Sequence, residues 1–232
     1  MSNTERLAIL YEDNHLIAIN KKAGEITQGD ITGDEPLPDK VKRYLKKEYN
    51  KPGNVFCGVI HRLDRPTSGI VLFAKTSKAL TRMNKMFQSR EVQKIYWAIT
   101  EKSSIPNQGN LIHFLKKDND RNKSFAAATE IKNSKKAELH YQIISSSDRY
   151  DLLEIHPHTG RHHQIRVQLA AIGANIKGDL KYGAKRSNED GSIGLHARKL
   201  IFVHPVSKEK VEINAPTASS DSLWNFFESK IN

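Results

Sequence analysis

One carboxylate, Asp64, stands between Arg62 and Arg65 in the stretch GVIHRLDRPTSGIVLFAKT, residues 58–76. Apolar runs lie on both sides. Pro66 biases Arg65 toward an extended backbone, and Gly69 relieves the steric limits where the chain re-enters a strand. Asp64 is therefore expected on a sharp connection carried by strands at both ends, where binding and catalytic residues often sit. Such a carboxylate suits nucleophilic attack on a substrate. It equally suits an Asx-turn, in which Asp64 accepts bonds only from its own backbone. Local chemistry leaves both readings open.

Other groups in the sequence could also do chemistry. His156, His158, His162 and His163 crowd the stretch HPHTGRHH beside Arg161 and Arg166. No HExxH or Cys-bearing spacing accompanies them, so no metal site is expected. They read as facing phosphates or solvent. Thr67 and Ser68 lack the G-x-S-x-G elbow of a serine nucleophile. Cys57 falls in an apolar strand and reads as a small buried hydrophobe. No Walker A or G-x-G-x-x-G run is present, so no nucleotide cofactor is expected.

The elements that must position these groups alternate irregularly. LAILYEDNHLIAINKKAG reads as two strands around the turn Glu12-Asp13-Asn14, followed by a Gly/Pro/Asp-rich loop. DKVKRYLKKEY, with Val41, Tyr44, Leu45 and Tyr49 at helical spacing, reads as a short amphipathic helix with a basic face. VFCGVI and GIVLFAKT read as strands bracketing Asp64. SKALTRMNKMFQSR reads as a helix capped by Ser77. QKIYWAIT, NLIHFLKK, SFAAATEI, KAELHYQII and YDLLEIHP read as strands. TGRHHQIRVQLAAIG reads as a helix capped by Thr159 and stopped near Gly173. GLHARKLIFVHP and KVEINAP form a hairpin, and SDSLWNFFESK a terminal helix. Strands outnumber helices without alternating one for one, which points to an α+β fold with a mixed, mostly antiparallel sheet. A single domain over residues 1–232, with two lobes, is expected.

Composition narrows the partner. Lys+Arg is 37 against 26 Asp+Glu, a net charge of +11 over 232 residues. That surplus suits a polyanion such as nucleic acid. It is spread over folded surface rather than gathered in a tail. The lone cysteine excludes an internal disulfide framework and fits a reducing compartment. The N-terminus lacks the pattern of a signal peptide, and no stretch reaches the ~20 apolar residues of a membrane helix. A cytoplasmic monomer is the expectation.

Four stretches together resemble a known family. HRLDRPTSG is similar to the HRLDxxTSG signature of the RluA-type pseudouridine synthases. KIYWAIT, EIHPHTGRHHQIRVQLA and GLHARKLIFVHP resemble that family's later motifs, in the same order. The resemblance runs over roughly residues 7–216. It implies the pseudouridine synthase fold and isomerisation of uridine to pseudouridine in rRNA, tRNA or both. Asp64 matches the catalytic aspartate, Tyr96 the tyrosine that packs on the target uracil, and Arg166 the arginine that pairs with the aspartate. Leu195 matches an apolar pocket residue. Arg62 matches an arginine that, in some members, enters the RNA helix where the uridine has left. His61 and Arg161, beside these positions, are taken as further substrate-binding residues. The chain departs from the family at His162, usually a smaller hydroxylated residue, and at Gln168, often a histidine. A separate N-terminal RNA-binding module is not expected.

The reaction exchanges a C–N glycosidic bond for a C–C one with no net gain or loss of atoms, so no cofactor is expected. Asp64 either attacks the uracil ring or assists departure of uracil from C1′; the sequence leaves both routes open. Two readings of other classes are a non-catalytic RNA-binding protein on the same fold and a metal-dependent RNA hydrolase. The presence of Asp64 argues against the first. The lack of a second acid beside Asp64 and of metal-ligand spacing argues against the second.

Overall fold

The computed structural model describes residues 7–29, 32–218 and 220–231. In chain order its elements are β1 (Ile9–Glu12), β2 (Leu16–Lys21), α1 (Leu37–Glu48), β3 (Gly58–Val59), β4 (Ser68–Ala74), α2 (Ser77–Gln88), β5 (Gln93–Glu101), β6 (Gln108–Asp118), β7 (Lys123–Ala127), β8 (Lys135–Ser146), β9 (Tyr150–Pro157), α3 (Gln164–Ala171), a 3-10 turn (Leu180–Tyr182), β10 (Leu195–Val203), β11 (Lys210–Asn214) and α4 (Ser222–Ile231). The α+β class expected from the sequence is observed, and the pairings with a defined register are antiparallel.

The chain forms two compact units. The first comprises residues 1–93 and 198–216, the second residues 94–197 and 217–232. β10 contributes its first three residues to the second unit and the rest to the first.

In the first unit the strand order is β1-β2-β4-β10, with β11 on β10 and β3 on β4. Leu16, Ala18, Ile70, Leu72, Leu200, Phe202 and Ile213 from this sheet pack with Ala79 and Met83 of α2. α2 begins one residue earlier than the sequence suggests: the cap is Thr76, whose hydroxyl accepts the Ala79 N–H at 3.1 Å. The expected strand over VFCGVI shrinks to Gly58 and Val59, each paired with β4.

In the second unit the order is β10-β5-β9-β8-β6-β7. Its core joins Ala98, Leu111, Leu139, Tyr141, Leu153 and Ile155 of the sheet to Ile165 and Leu169 of α3. Trp224 and Phe227 of α4 pack on Trp97, Ile99 and Leu152. α3 is short because its first turn is pre-empted. The Gln164 side-chain oxygen accepts from the Thr159 hydroxyl at 2.7 Å and from the Arg161 N–H at 3.0 Å. His163 then turns into the left-handed region, φ 53°, and serves as the N-cap in place of Thr159. Every residue from Gln164 to Leu169 is buried, so the helix lies within the core rather than across it.

Candidate active site

Asp64 lies in the first unit, half-buried on the connection between β3 and β4. The Thr67 N–H donates to the Asp64 carbonyl at 3.0 Å and closes a turn around Arg65 and Pro66. Gly69 follows with φ 109°, a conformation that strains any residue carrying a Cβ. The flanks are fixed as well. Leu63 is buried. His61 Nε2 accepts the Leu72 N–H at 3.1 Å, and its ring stacks on Phe87. Arg62 and Arg65 point outward. Arg62 reaches the Gln28 side-chain oxygen at 2.5 Å, and Arg65 engages Thr32 and Asp34.

Beneath this turn sits Lys21, which pattern reading placed at the end of a strand and gave no role. The residue is 1% exposed. It donates to three main-chain carbonyls: Thr67 at 2.6 Å, Lys22 at 2.9 Å and Arg65 at 3.1 Å. The Gly24 N–H shares the Arg65 carbonyl at 2.8 Å. The available signal was a lysine closing the run LIAINK, whose first four residues are fully buried.

The second unit holds the other matched residues. Tyr96 of β5 and Leu195 of β10 belong to one apolar cluster with Ile155, Ile165 and Ile193. Arg166, one residue beyond Ile165 on α3, is 5% exposed. Its Nε and Nη2 donate to the two oxygens of Asp179 at 2.7 and 2.8 Å. Its guanidinium carbon lies over the Tyr182 ring, 5.1 Å from the centroid. The Tyr182 hydroxyl contacts His163 Nδ1 at 2.9 Å and accepts the Ser124 N–H at 2.8 Å. His162 stacks on His163 with ring centroids 3.7 Å apart, and its Nδ1 lies 2.9 Å from the Ser124 hydroxyl. A guanidinium carries five N–H donors. Asp179 takes one edge of Arg166.

Asp179 and Tyr182 escaped the reading of the sequence. Both lie in GDLKYG, residues 178–183, where glycines flank the 3-10 turn. A Cβ on Gly178 would stand 2.7 Å from the Ser192 carbonyl oxygen, and its φ is 84°, so only glycine fits. Arg161 is exposed, its Nε on the Lys136 carbonyl at 3.1 Å. Gln168 is fully buried, its amide nitrogen on the Leu111 carbonyl at 3.1 Å and near His113 at 3.2 Å. Burial holds the His113 imidazole below its usual value. Cys57 is half-buried, with its thiol pushed up to about 12 by burial, and is no nucleophile at neutral pH. Among the described residues no group of three or more His, Cys, Asp or Glu side chains is placed to hold a metal ion, and no helix is long and apolar enough to cross a membrane.

Comparison with known proteins agrees with the motifs. A family model described as RNA pseudouridylate synthase matches residues 15–171. The tRNA pseudouridine synthase C of Pasteurella multocida is 32% identical over 247 residues, spanning 97% of this chain and 98% of that protein. The ribosomal large subunit pseudouridine synthase C of Vibrio vulnificus is 32% identical over 214 residues, spanning 90% of this chain and 65% of that protein. The structure of human RNA pseudouridylate synthase domain containing 4 superposes with a TM-score of 0.76 at 24% identity, covering 97% of this chain and 92% of that one. The chain belongs to the RNA pseudouridylate synthase family, in its RluA-type branch, and is an RNA pseudouridine synthase.

Proposed function

We propose that this enzyme isomerises uridine in tRNA, with Asp64 as its nucleophile. The observation that carries the assignment of Asp64 is the turn itself. The signature HRLDRPTSG folds into a turn whose main chain is tied from below by Lys21 and closed above by the Asp64–Thr67 bond. These main-chain and lysine bonds fix the backbone from which Asp64 projects.

The roles of the other residues follow from the motifs they match. Arg166 is the counter-charge of Asp64, and its planar fork suits a two-pronged bond to a carboxylate. Tyr96 offers a flat face on which the detached uracil can turn, and Leu195 an apolar wall. Within the second unit their common cluster supports this pairing of roles. The N1–C1′ bond breaks, the base rotates, a C5–C1′ bond forms, and the C5 hydrogen leaves to solvent as N1 gains a proton. Asp64 acts either on the ring or at C1′.

The target base must leave its stack before any of this, at a cost of a few kcal/mol that is least for unpaired bases. Arg62, exposed beside Asp64, is proposed to fill the vacated space. Arg161 and other surface cations contact phosphates, which position RNA without reading its sequence.

The choice of tRNA rests on coverage. The chain spans 98% of the Pasteurella protein named for tRNA and 65% of the Vibrio protein named for the ribosomal large subunit. The test is to incubate the enzyme separately with unmodified tRNA and large-subunit rRNA transcripts carrying tritium at uridine C5, and to follow tritium release. Release from tRNA alone supports the assignment; release only from rRNA overturns the tRNA part and leaves the chemistry standing.

A further inference from the structure

Phe125 lies on β7, the last strand in the order of the sheet, and is 43% exposed. Strand alternation explains why. Its two neighbours turn inward: the Ser124 N–H donates to the Tyr182 hydroxyl at 2.8 Å, and Ala126 packs on the cluster of Leu115, Val167 and Tyr182. Phe125 therefore faces outward. Lys116 stands directly opposite it in the register of β6 and β7, and the Lys123 ammonium lies 5.8 Å from its ring centroid. The same ammonium lies 5.2 Å from the centroid of Tyr182, whose ring also carries the Arg166 guanidinium carbon at 5.1 Å. Within the second unit, cations and rings thus alternate from Arg166 out to Phe125 at the edge of the sheet. We infer that Phe125 is a stacking platform for an unpaired base of the substrate RNA, a few nucleotides from the target uridine, with Lys116 and Lys123 on the adjoining phosphates. This inference rests on RNA being the substrate and is independent of which residue is the nucleophile.

The platform is held in place by the fold itself. The turn between β6 and β7 is closed by the Asn122 N–H on the Asn119 carbonyl at 3.2 Å and by the Arg121 N–H on the Asp118 carboxylate at 3.0 Å. The Lys181 ammonium reaches the Asn122 carbonyl at 3.0 Å, and the Ser124 hydroxyl donates to the His162 carbonyl at 2.8 Å, which ties the strand to the start of α3. A ring on a strand fixed in this way loses little freedom when a base lands on it. Every base has a flat face, so such a platform adds affinity without demanding a sequence. A second copy of this chain is a poorer occupant. Lysines on an edge strand oppose strand pairing, and an apolar partner would have to strip water from two ammonium groups. RNA meets the ring with a base and the ammonium groups with phosphates, and the net charge of +11 favours it.

The experiment compares wild type, Phe125→Ala, Phe125→Thr and Phe125→Tyr on the tRNA transcript, or on the rRNA transcript should that be the one that releases tritium. Dissociation constants are measured by filter binding over a range of salt, with intact RNA and with RNAs in which each flanking nucleotide in turn lacks its base. Phe125→Ala is expected to bind intact RNA about fivefold or more weaker, the lower end of what one stacked base contributes. Its salt dependence should match wild type, because no cation is lost. Phe125→Tyr should bind like wild type. Removing one particular base should weaken wild type by the same factor and leave Phe125→Ala no weaker than it already is. A Phe125→Ala affinity equal to that of wild type overturns the platform. Equal losses for wild type and Phe125→Ala at every abasic position overturn it too. A wild-type dimer, seen by sedimentation, that Phe125→Ala splits would make this face a protein interface and overturn it as well. Phe125→Thr keeps the preference for a strand without the ring and replaces the alanine variant if that one fails to fold. If neither folds, the wild-type scan decides: the absence of any abasic position that weakens binding overturns the platform. Tritium release from neither transcript by wild type would sink the choice of substrate, whereas normal release beside an abasic scan without effect sinks only the role of Phe125.

Discussion

Arg166 gives one edge of its guanidinium to Asp179, two N–H groups to two oxygens at 2.7 and 2.8 Å, with both residues almost wholly buried. A buried guanidinium is costly unless a carboxylate meets it, and Asp179 supplies that counter-ion within the second unit.

Removing Arg166 should therefore damage more than the chemistry. Arg166→Ala leaves Asp179 buried without its partner, and breaking such a pair typically costs about 3–5 kcal/mol. Denaturant unfolding should show a loss of that order alongside severe loss of activity. Arg166→Lys should recover little, because an ammonium cannot bridge both carboxylate oxygens in the plane of a fork. A lysine variant with wild-type stability and rate would show that the bidentate pair is unimportant.

Arg62 tests the extrusion step. On a structured stem–loop, Arg62→Ala should slow single-turnover conversion by about tenfold or more, which is ~1.4 kcal/mol of the few that flipping requires. On an RNA whose target uridine is already unstacked the loss should be much smaller. Equal losses on both RNAs, with a shallower dependence of binding on salt, would instead make Arg62 a phosphate contact.

A stability effect of pH is expected at the edge of the first unit. Glu12 accepts from the Tyr44 and Tyr49 hydroxyls at 2.9 and 2.7 Å and pairs with Lys75 at 2.7 Å. Burial works against its ionisation, but the bonds from Lys75, Tyr49 and Tyr44 outweigh it and hold the carboxyl below its usual value. A depressed folded value means the stabilisation is present above the ordinary glutamate value of ~4.3 and is lost as pH falls through the folded one. Melting temperature against pH should show Glu12→Gln below wild type at pH 7 and converging with it in acid. A constant gap at all pH values would remove the carboxylate's charge as the cause.

The parts of the site that could be read from the sequence were those with local grammar. Asp64 sits among turn residues between two apolar runs, and that pattern needs no tertiary knowledge. Tyr96 and Arg166 became candidates only through ordered motifs, because a tyrosine in a strand or an arginine in a helix has no local mark. Lys21 and Asp179 are invisible for a physical reason. Charged residues are almost never fully buried unless they are partnered, and the partners here are carbonyls and a guanidinium fixed by the fold. The start of α3 was misplaced on similar grounds. Thr159 has the chemistry of a cap, yet its hydroxyl is taken by Gln164 and Glu138, and His163 assumes the cap position through its backbone.

The most direct test of the account is Asp64→Asn, an amide of nearly the same shape that cannot act as a nucleophile. Pseudouridine is to be measured after single turnover at saturating enzyme, in a preparation checked by mass spectrometry for deamidation back to aspartate. The account expects no pseudouridine above background, with the melting temperature and RNA affinity close to wild type. Conversion at more than a few per cent of the wild-type rate, by protein shown to carry asparagine at position 64, would contradict it.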